Sequence, residues 1–338
     1  MKPMLERDGV TREIFEREIA PVYQPVVMRG LVKHWPLVAQ GRAGLQSCLH
    51  YLMSFDKGAA VDAVLAKPGP SRAFTYGPAL DGFNFIHDKR PYAALFEQLW
   101  RYSHFAEPPL LAAQSALVQD AMPGLEQANA CPLLSGDVLP RIWIGNRATV
   151  PAHFDDSHNI ACVAAGQRRF TLLPPQCASL LYLGPPDYAP TPAPMSVVPD
   201  LLRADPQRFP LLAEALEHAV VAELGPGDAL YIPPLWFHQV EALAPHLNIL
   251  MNYWWRPEPA PQRQDDLHIA AMRLAMLAFR HLPDPEREGW RALLGHYVFG
   301  ARDEALAHIP EGQRHMLGDV DAAFDAAIRQ DIVDRMKP

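Results

Sequence analysis

The stretch 150–175, VPAHFDDSHNIACVAAGQRRFTLLPP, decides the architecture of the chain. Its two apolar runs, HFDDSHNIACVAAG and RRFTLLPP, meet at Gly166–Gln167, a hairpin signal, and are expected as antiparallel strands. The same texture extends outward on both sides. RIWIG (141–145) precedes it; AVVAELGPGDALYIPP (219–234), WFHQVEAL (236–243) and NILMNYWW (248–255) follow, with a second turn cluster at Gly225–Pro226–Gly227–Asp228. Several short strands separated by turn residues predict a mainly β protein with appended helices, its core a small barrel or jelly roll. A proline-rich excursion at 183–210 joins two of these strands and is too long for an ordinary connection. It is expected as a substrate lid or a rigid surface insertion.

The flanks differ in texture. Residues 11–20 carry apolar positions at helical spacing behind Thr11, an N-cap type. VVMRGLVKHWP (26–36) reads as strand plus turn, and residues 91–101 and 110–121 return to helical spacing. Beyond Pro261, LHIAAMRLAMLAFRHL, EGWRALLGHYVF and VDAAFDAAIRQDIVDRM each present an apolar stripe. Three parts are therefore expected: an N-terminal mixed α/β segment, 1–135, packing on the barrel; a β core, 136–258, holding the insertion; and a C-terminal helical bundle, 262–338. Leu274, Leu277 and Ala278 in the last part suit either an intrachain bundle or a two-fold dimer interface.

Composition narrows the function. Apolar residues make up 49% and charged residues 20% of the 338, which is ordinary globular usage. No stretch offers the roughly 20 continuous apolar residues of a membrane helix. The first residues, MKPMLERDGVTREIFERE, lack the apolar core of a secretion signal, so a cytoplasmic location is expected. Thirty basic against 38 acidic residues leave a net charge of −8, which disfavours nucleic acid as a partner. Cys48, Cys131, Cys162 and Cys177 form no CxxC pair and are expected as buried free thiols.

The chemistry concentrates in His153–Phe154–Asp155 and, 85 residues beyond His153, in His238 behind Trp236–Phe237. If 153–155 is a strand, its period of two sets His153 and Asp155 on one face. His238 would then complete a two-His, one-carboxylate set, the arrangement that leaves three positions of an Fe(II) open. Either signal alone is weak. A His-x-Asp triple arises by chance, and a lone histidine behind two aromatics is commonly a hydrogen-bonded core residue.

In combination, VPAHFDDSHNIACVAAGQRRFTLLPP, GPGDALYIPPLWFHQVEAL and NILMNYWW resemble the cupin-like JmjC family, in the branch of the asparaginyl hydroxylase acting on hypoxia-inducible factor. The resemblance is close over about 141–256, and VVMRGLVKHWP is similar to the family's opening segment. It implies a double-stranded β-helix (cupin jelly roll) with Fe(II) held by His153, Asp155 and His238, and 2-oxoglutarate as cosubstrate. Asn159 and Asn252 fall on asparagines close to the cosubstrate, and Arg168 stands where relatives place the lysine that holds its distal carboxylate. Gln114 matches a glutamine of the same pocket, the other reading being an ordinary helix surface. Two positions depart from the pattern. Val150 replaces a threonine and Ala112 a tyrosine, so two hydroxyl contacts to the cosubstrate are missing, with Gln114, Ser115 or Tyr76 as substitutes. Outside the ligand set, Trp143 and Trp254 read as packing, His158 faces away, Asp156 orients its neighbour or faces solvent, and Arg169 pairs with acidic residues at the surface.

The resemblance further implies a 2-oxoglutarate-dependent dioxygenase that hydroxylates a side chain of a protein or peptide and that dimerises through its helical tail. Alternatives are the same chemistry on a small molecule or a tRNA nucleoside, and a non-catalytic cupin-like binding protein that kept the triad. Lysine demethylation is disfavoured, because no chromatin-reading module is visible.

Overall fold

The structure, a computed structural model, describes residues 1–256, 267–300 and 307–337 apart from residues 70, 192 and 319. Strands β1 (Lys2–Pro3), β2 (Leu5–Asp8), β3 (Val26–Arg29), β4 (Ala60–Ala66), β5 (Phe85–Pro91) and β6 (Leu110–Leu117) occupy the first third of the chain. Eight more then follow: β7 (Pro140–Gly145), β8 (Thr149–His153), β9 (His158–Ala165), β10 (Arg168–Leu173), β11 (Val220–Leu224), β12 (Ala229–Ile232), β13 (Phe237–Ala242) and β14 (Asn248–Trp255). They pass between two sheets. One has the order β1-β11-β10-β13-β8 and the other β2-β3-β12-β9-β14-β7-β6-β4-β5. The expected jelly roll is thus present, and the strands before residue 136 widen its larger sheet. Gly166, at φ +73, turns β9 into β10 in a conformation that glycine adopts without strain.

Three apolar layers hold this arrangement. Val163, Phe170, Leu172, Leu230 and Leu250 fill the space between the sheets. Ile142, Ile160, Cys162 and Met251 face the other way, against Leu37, Leu52, Leu95 and Leu99 of the helices Pro36–Ala43, Leu45–Met53 and Tyr92–Tyr102. Strand β9 is covered on both faces, which is why it is a continuous apolar run without alternation. On the outside of the smaller sheet, Leu173 and Phe237 are covered by Leu181, Val198, Leu201 and Phe209 of the long connection between β10 and β11. Polar contacts tie it down as well. Ser196 N–H donates to Ala152 O (2.7 Å), and Leu201 N–H to Gln239 Oε1 (2.8 Å).

One expectation fails. Residues 110–117 form not a helix but β6, antiparallel to β4 and β7. LLAAQSAL lacks alternation because both faces are covered: Leu111 and Ala113 enter the helix-side core, while Leu110 and Ala112 pack on Phe74 and Val64. Sheet pairing overrides the local helical propensity, and only Val118–Ala121 coils. Elsewhere the elements match. Thr11 Oγ1 accepts from Ile14 N–H at the first helical turn, and all four cysteines are buried and unpaired.

Met1–Ile269 form one compact unit and Ala270–Pro338 a second. The break expected between 258 and 262 lies outside the described residues. Helices Leu267–Phe279, Asp284–Tyr297 and Ala322–Arg335 account for the three C-terminal stripes. Their apolar side chains, including Leu277, Leu293, Tyr297 and Val333, stand exposed. No described helix is long and apolar enough to cross a membrane.

Candidate metal centre

His153 ends β8 and His238 lies opposite it in register on β13. Past His238 the register shifts, because β8 spends one extra residue between His153 and Val150. Pro151 sits in that bulge, on the edge strand of its sheet, where a residue without N–H costs no ladder bond. The imidazoles meet with ring centroids 4.3 Å apart, and His238 Nε2 is 3.6 Å from Asp155 Oδ2. One ligand atom from each of His153, Asp155 and His238 falls within 4.8 Å of the others, and no second such group of three occurs among the described residues. Asp155 lies just beyond the strand rather than in it.

Backbone carbonyls fix both rings. His153 Nδ1 is 2.9 Å from Pro151 O and His238 Nδ1 3.0 Å from Trp236 O. A carbonyl only accepts, so the proton sits on Nδ1 and the Nε2 lone pair is free for a cation. Burial, reinforced by the neighbouring His238, pushes His153 down to about 4, which keeps it neutral near pH 7.

The carboxylate is held by a chain of hydrogen bonds. Trp254 Nε1–H donates to Asp155 Oδ2 (3.1 Å), and Asn159 Nδ2–H donates to the same oxygen (3.4 Å). Asn252 Nδ2–H then donates to Asn159 Oδ1 (3.3 Å), and Trp143 Nε1–H to Asn252 Oδ1 (2.8 Å). Trp143 and Trp254 are therefore donors in the site, not packing alone. Their signal in the sequence was period two on β14, which puts Trp254 on the face of Asn252. Asn159 reaches the site by another route than strand alternation from His153. Residues 154–157 carry the chain from one sheet to the other, so Asn159 approaches Asp155 from the larger sheet. Asp156 is paired with Arg256, and His158 contacts Tyr231 Oη (2.8 Å) while stacking on Trp255.

Arg168 alternates with Phe170 and Leu172 on the inner face of β10 and is buried there. Its Nε has no hydrogen-bond partner, and no carboxylate of a described residue pairs with it. Desolvation pushes the guanidinium down to about 10. Arg169, one residue on, faces outward and pairs with Glu223 (2.6 Å) and Glu241 (3.4 Å). The remaining positions stay apart from the metal cluster. Gln114 lies at an irregularity of β6, and no hydrogen bond joins it to the cluster among the described residues. Tyr76 Oη donates to Tyr188 O (3.0 Å), and Ser115 accepts from Arg141, so neither hydroxyl stands idle.

A family model described as a cupin-like domain matches residues 11–261. The chain is 25% identical over 263 residues to Jumonji C domain-containing protein 5 of Drosophila melanogaster, a match covering 73% of this chain and 58% of that protein. It is 26% identical over 181 residues to lysine-specific demethylase JMJ31 of Arabidopsis thaliana, covering 52% and 30%. To tRNA wybutosine-synthesizing protein 5 of Gallus gallus it is 23% identical over 270 residues, covering 75% and 77%. It thus spans less than two thirds of the length of the fly and plant relatives.

Proposed function

Because this chain belongs to the cupin-like domain family, we propose that it is an Fe(II)- and 2-oxoglutarate-dependent oxygenase that hydroxylates a protein side chain. One observation carries the reading: a buried arginine without a counter-charge among the described residues lies on the same inner face of the barrel as a three-ligand metal cluster. Two imidazoles and one carboxylate suit Fe(II) and leave coordination positions open. An unpaired buried guanidinium is costly unless an anion joins it, and its planar fork matches a carboxylate with two hydrogen bonds.

When bound, iron and 2-oxoglutarate supply the oxidising chemistry, in which decarboxylation to succinate accompanies insertion of one atom of dioxygen into a substrate C–H bond. The chain's residues do the rest. His153 and His238 offer Nε2 and Asp155 its carboxylate, while Trp254 and Asn159 prevent that carboxylate from rotating. Arg168 takes the distal carboxylate of the cosubstrate. Its two-point grip stands in for the hydroxyls that Val150 and Ala112 do not provide. Phe170, Leu172 and Leu250 exclude water between the sheets. The exposed apolar stripes of the C-terminal helices support a homodimer, and four unpaired thiols suit a reducing, cytoplasmic location.

The match along most of the chicken tRNA-modifying relative favours a second reading, the same chemistry on a tRNA nucleoside. The net charge of −8 opposes it. Succinate formation decides the main reading. Anaerobically purified protein given Fe(II), 2-oxoglutarate and dioxygen is expected to produce succinate above the background of His153→Ala. No succinate, together with no calorimetric binding of 2-oxoglutarate, would overturn the oxygenase reading in favour of a binding protein.

A further inference from the structure

Arg141 lies on β7, whose residues alternate between the two faces of the larger sheet. Ile142 and Ile144 enter the helix-side core, so Trp143 and Arg141 face the barrel interior. Arg141 is the register partner of Asn252, which places it level with the hydrogen-bond chain behind Asp155. Its guanidinium stands 5.8 Å from the centre of the Trp254 ring, the ring whose N–H holds Asp155. A single aromatic ring thus separates this cation from a candidate metal ligand.

Among the described residues, the guanidinium is held by one nitrogen only. Arg141 Nη1–H donates to Ser115 O (2.8 Å) and Oγ (3.4 Å), both presented by a bulged stretch of β6 in which Ser115 has φ +49. That left-handed conformation is strained for a residue with a side chain, and here it aims an acceptor at Arg141. The other partly buried arginines of the same unit show what a structural role looks like: Arg29, Arg72, Arg90, Arg169 and Arg256 each pair with a carboxylate. Only Arg168 and Arg141 lack one among the described residues. Arg168 lies four positions along β10 from Leu172, the register partner of His238, and serves the cosubstrate in the reading above, which leaves Arg141 without an assigned anion.

We infer that Arg141 binds an acidic side chain, Asp or Glu, of the peptide substrate, at or beside the residue that is oxidised. The inference rests on the oxygenase reading for its substrate class. With Nη1 anchored, the edge formed by Nε–H and Nη2–H stays open and accepts a carboxylate side-on through two parallel hydrogen bonds. A peptide carboxylate fits better than a polyanion. The chain as a whole is acidic, with 38 acidic against 30 basic residues, and would repel an extended run of phosphates. A single carboxylate needs only this local cation.

The test reads binding without turnover, so the inference stands or falls apart from succinate formation. Labelled degenerate peptide pools with Asp, Asn, Glu, Gln or Lys fixed at the centre are titrated with the full chain and followed by fluorescence anisotropy. The Asp and Glu pools are expected to bind about tenfold more tightly than the Asn and Gln pools. Arg141→Gln should erase that gap, Arg141→Lys should keep part of it, and Arg141→Glu should turn the preference toward the Lys pool. An equal affinity of the wild type for the Asp and Asn pools would overturn the inference even if a variant failed to fold. A gap that survives in folded Arg141→Gln would do the same, as would an oligouridylate that outcompetes the acidic pools.

Discussion

Two parts of the barrel interior treat buried polarity in opposite ways. Beside the metal cluster, Trp143, Asn252, Asn159, Asp155 and Trp254 form a continuous chain in which each contact matches a donor with an acceptor. Farther along β10, Arg168 is buried with Nε unmatched and its charge unpaired among the described residues. Folding normally pairs buried polar groups, because an orphan costs its full desolvation. The closed chain therefore positions a ligand that the protein itself supplies. In the proposed reading, the open arginine receives a group that the protein does not supply.

The largest expected effect comes from breaking what the closed chain positions. Asp155→Ala should abolish stoichiometric iron binding, read by metal analysis, and lower succinate formation on the order of 10³-fold, since the ligand set is worth several kcal/mol. The open arginine should answer differently on two scales. Arg168→Met is expected to raise the KM for 2-oxoglutarate about 100-fold, through loss of charge-assisted hydrogen bonds. The same change should stabilise the protein without cosubstrate, by about 1–3 kcal/mol in urea unfolding, because a buried unpaired charge disappears. If Arg168→Met destabilises instead, the arginine has a structural partner and the contrast between the two regions collapses.

Opening the closed chain should give smaller changes of one sign. Asn252→Ala leaves Trp143 N–H and Asn159 Oδ1 unmatched, so it should cost about 1–3 kcal/mol of stability and weaken metal binding about 10-fold. The smallest effect is one of pH. His153 has a folded value of about 4, below its ordinary 6.5. Between these values the unfolded chain binds more protons, so stability of the metal-free protein is present above about 6.5 and declines as pH falls toward 4. Unfolding free energies from urea titrations at pH 7 and pH 5 should differ by about 1–2 kcal/mol more in the wild type than in His153→Gln.

Much of this was legible along the chain, and unevenly so. The jelly-roll strands were readable because short apolar runs ended at Gly166 and at Gly225–Asp228, where turn chemistry is local. Residues 110–117 were not. Alanines and a glutamine carry helical propensity, and the strand exists only through pairing with β4 and β7. The trio His153, Asp155 and His238 could be picked out from spacing and resemblance. The hydrogen-bonding role of Trp254 could not, because its carboxylate partner is 99 positions away.

By itself, then, the sequence determined which of the central segments, 141–173 and 219–255, are strands and where they turn, and its resemblance to a family pointed to three side chains with metal-ligand chemistry. The strands and turns are consequences of periodicity and turn preference within a few residues. Tertiary structure alone decided that Asp155 is held by Trp254, that Arg169 finds Glu223 while Arg168 finds no carboxylate among the described residues, and that Arg141 is anchored on Ser115. Alternation along a strand says which face a residue takes. What stands opposite that face depends on the register of strands distant in the chain, which no local interaction encodes.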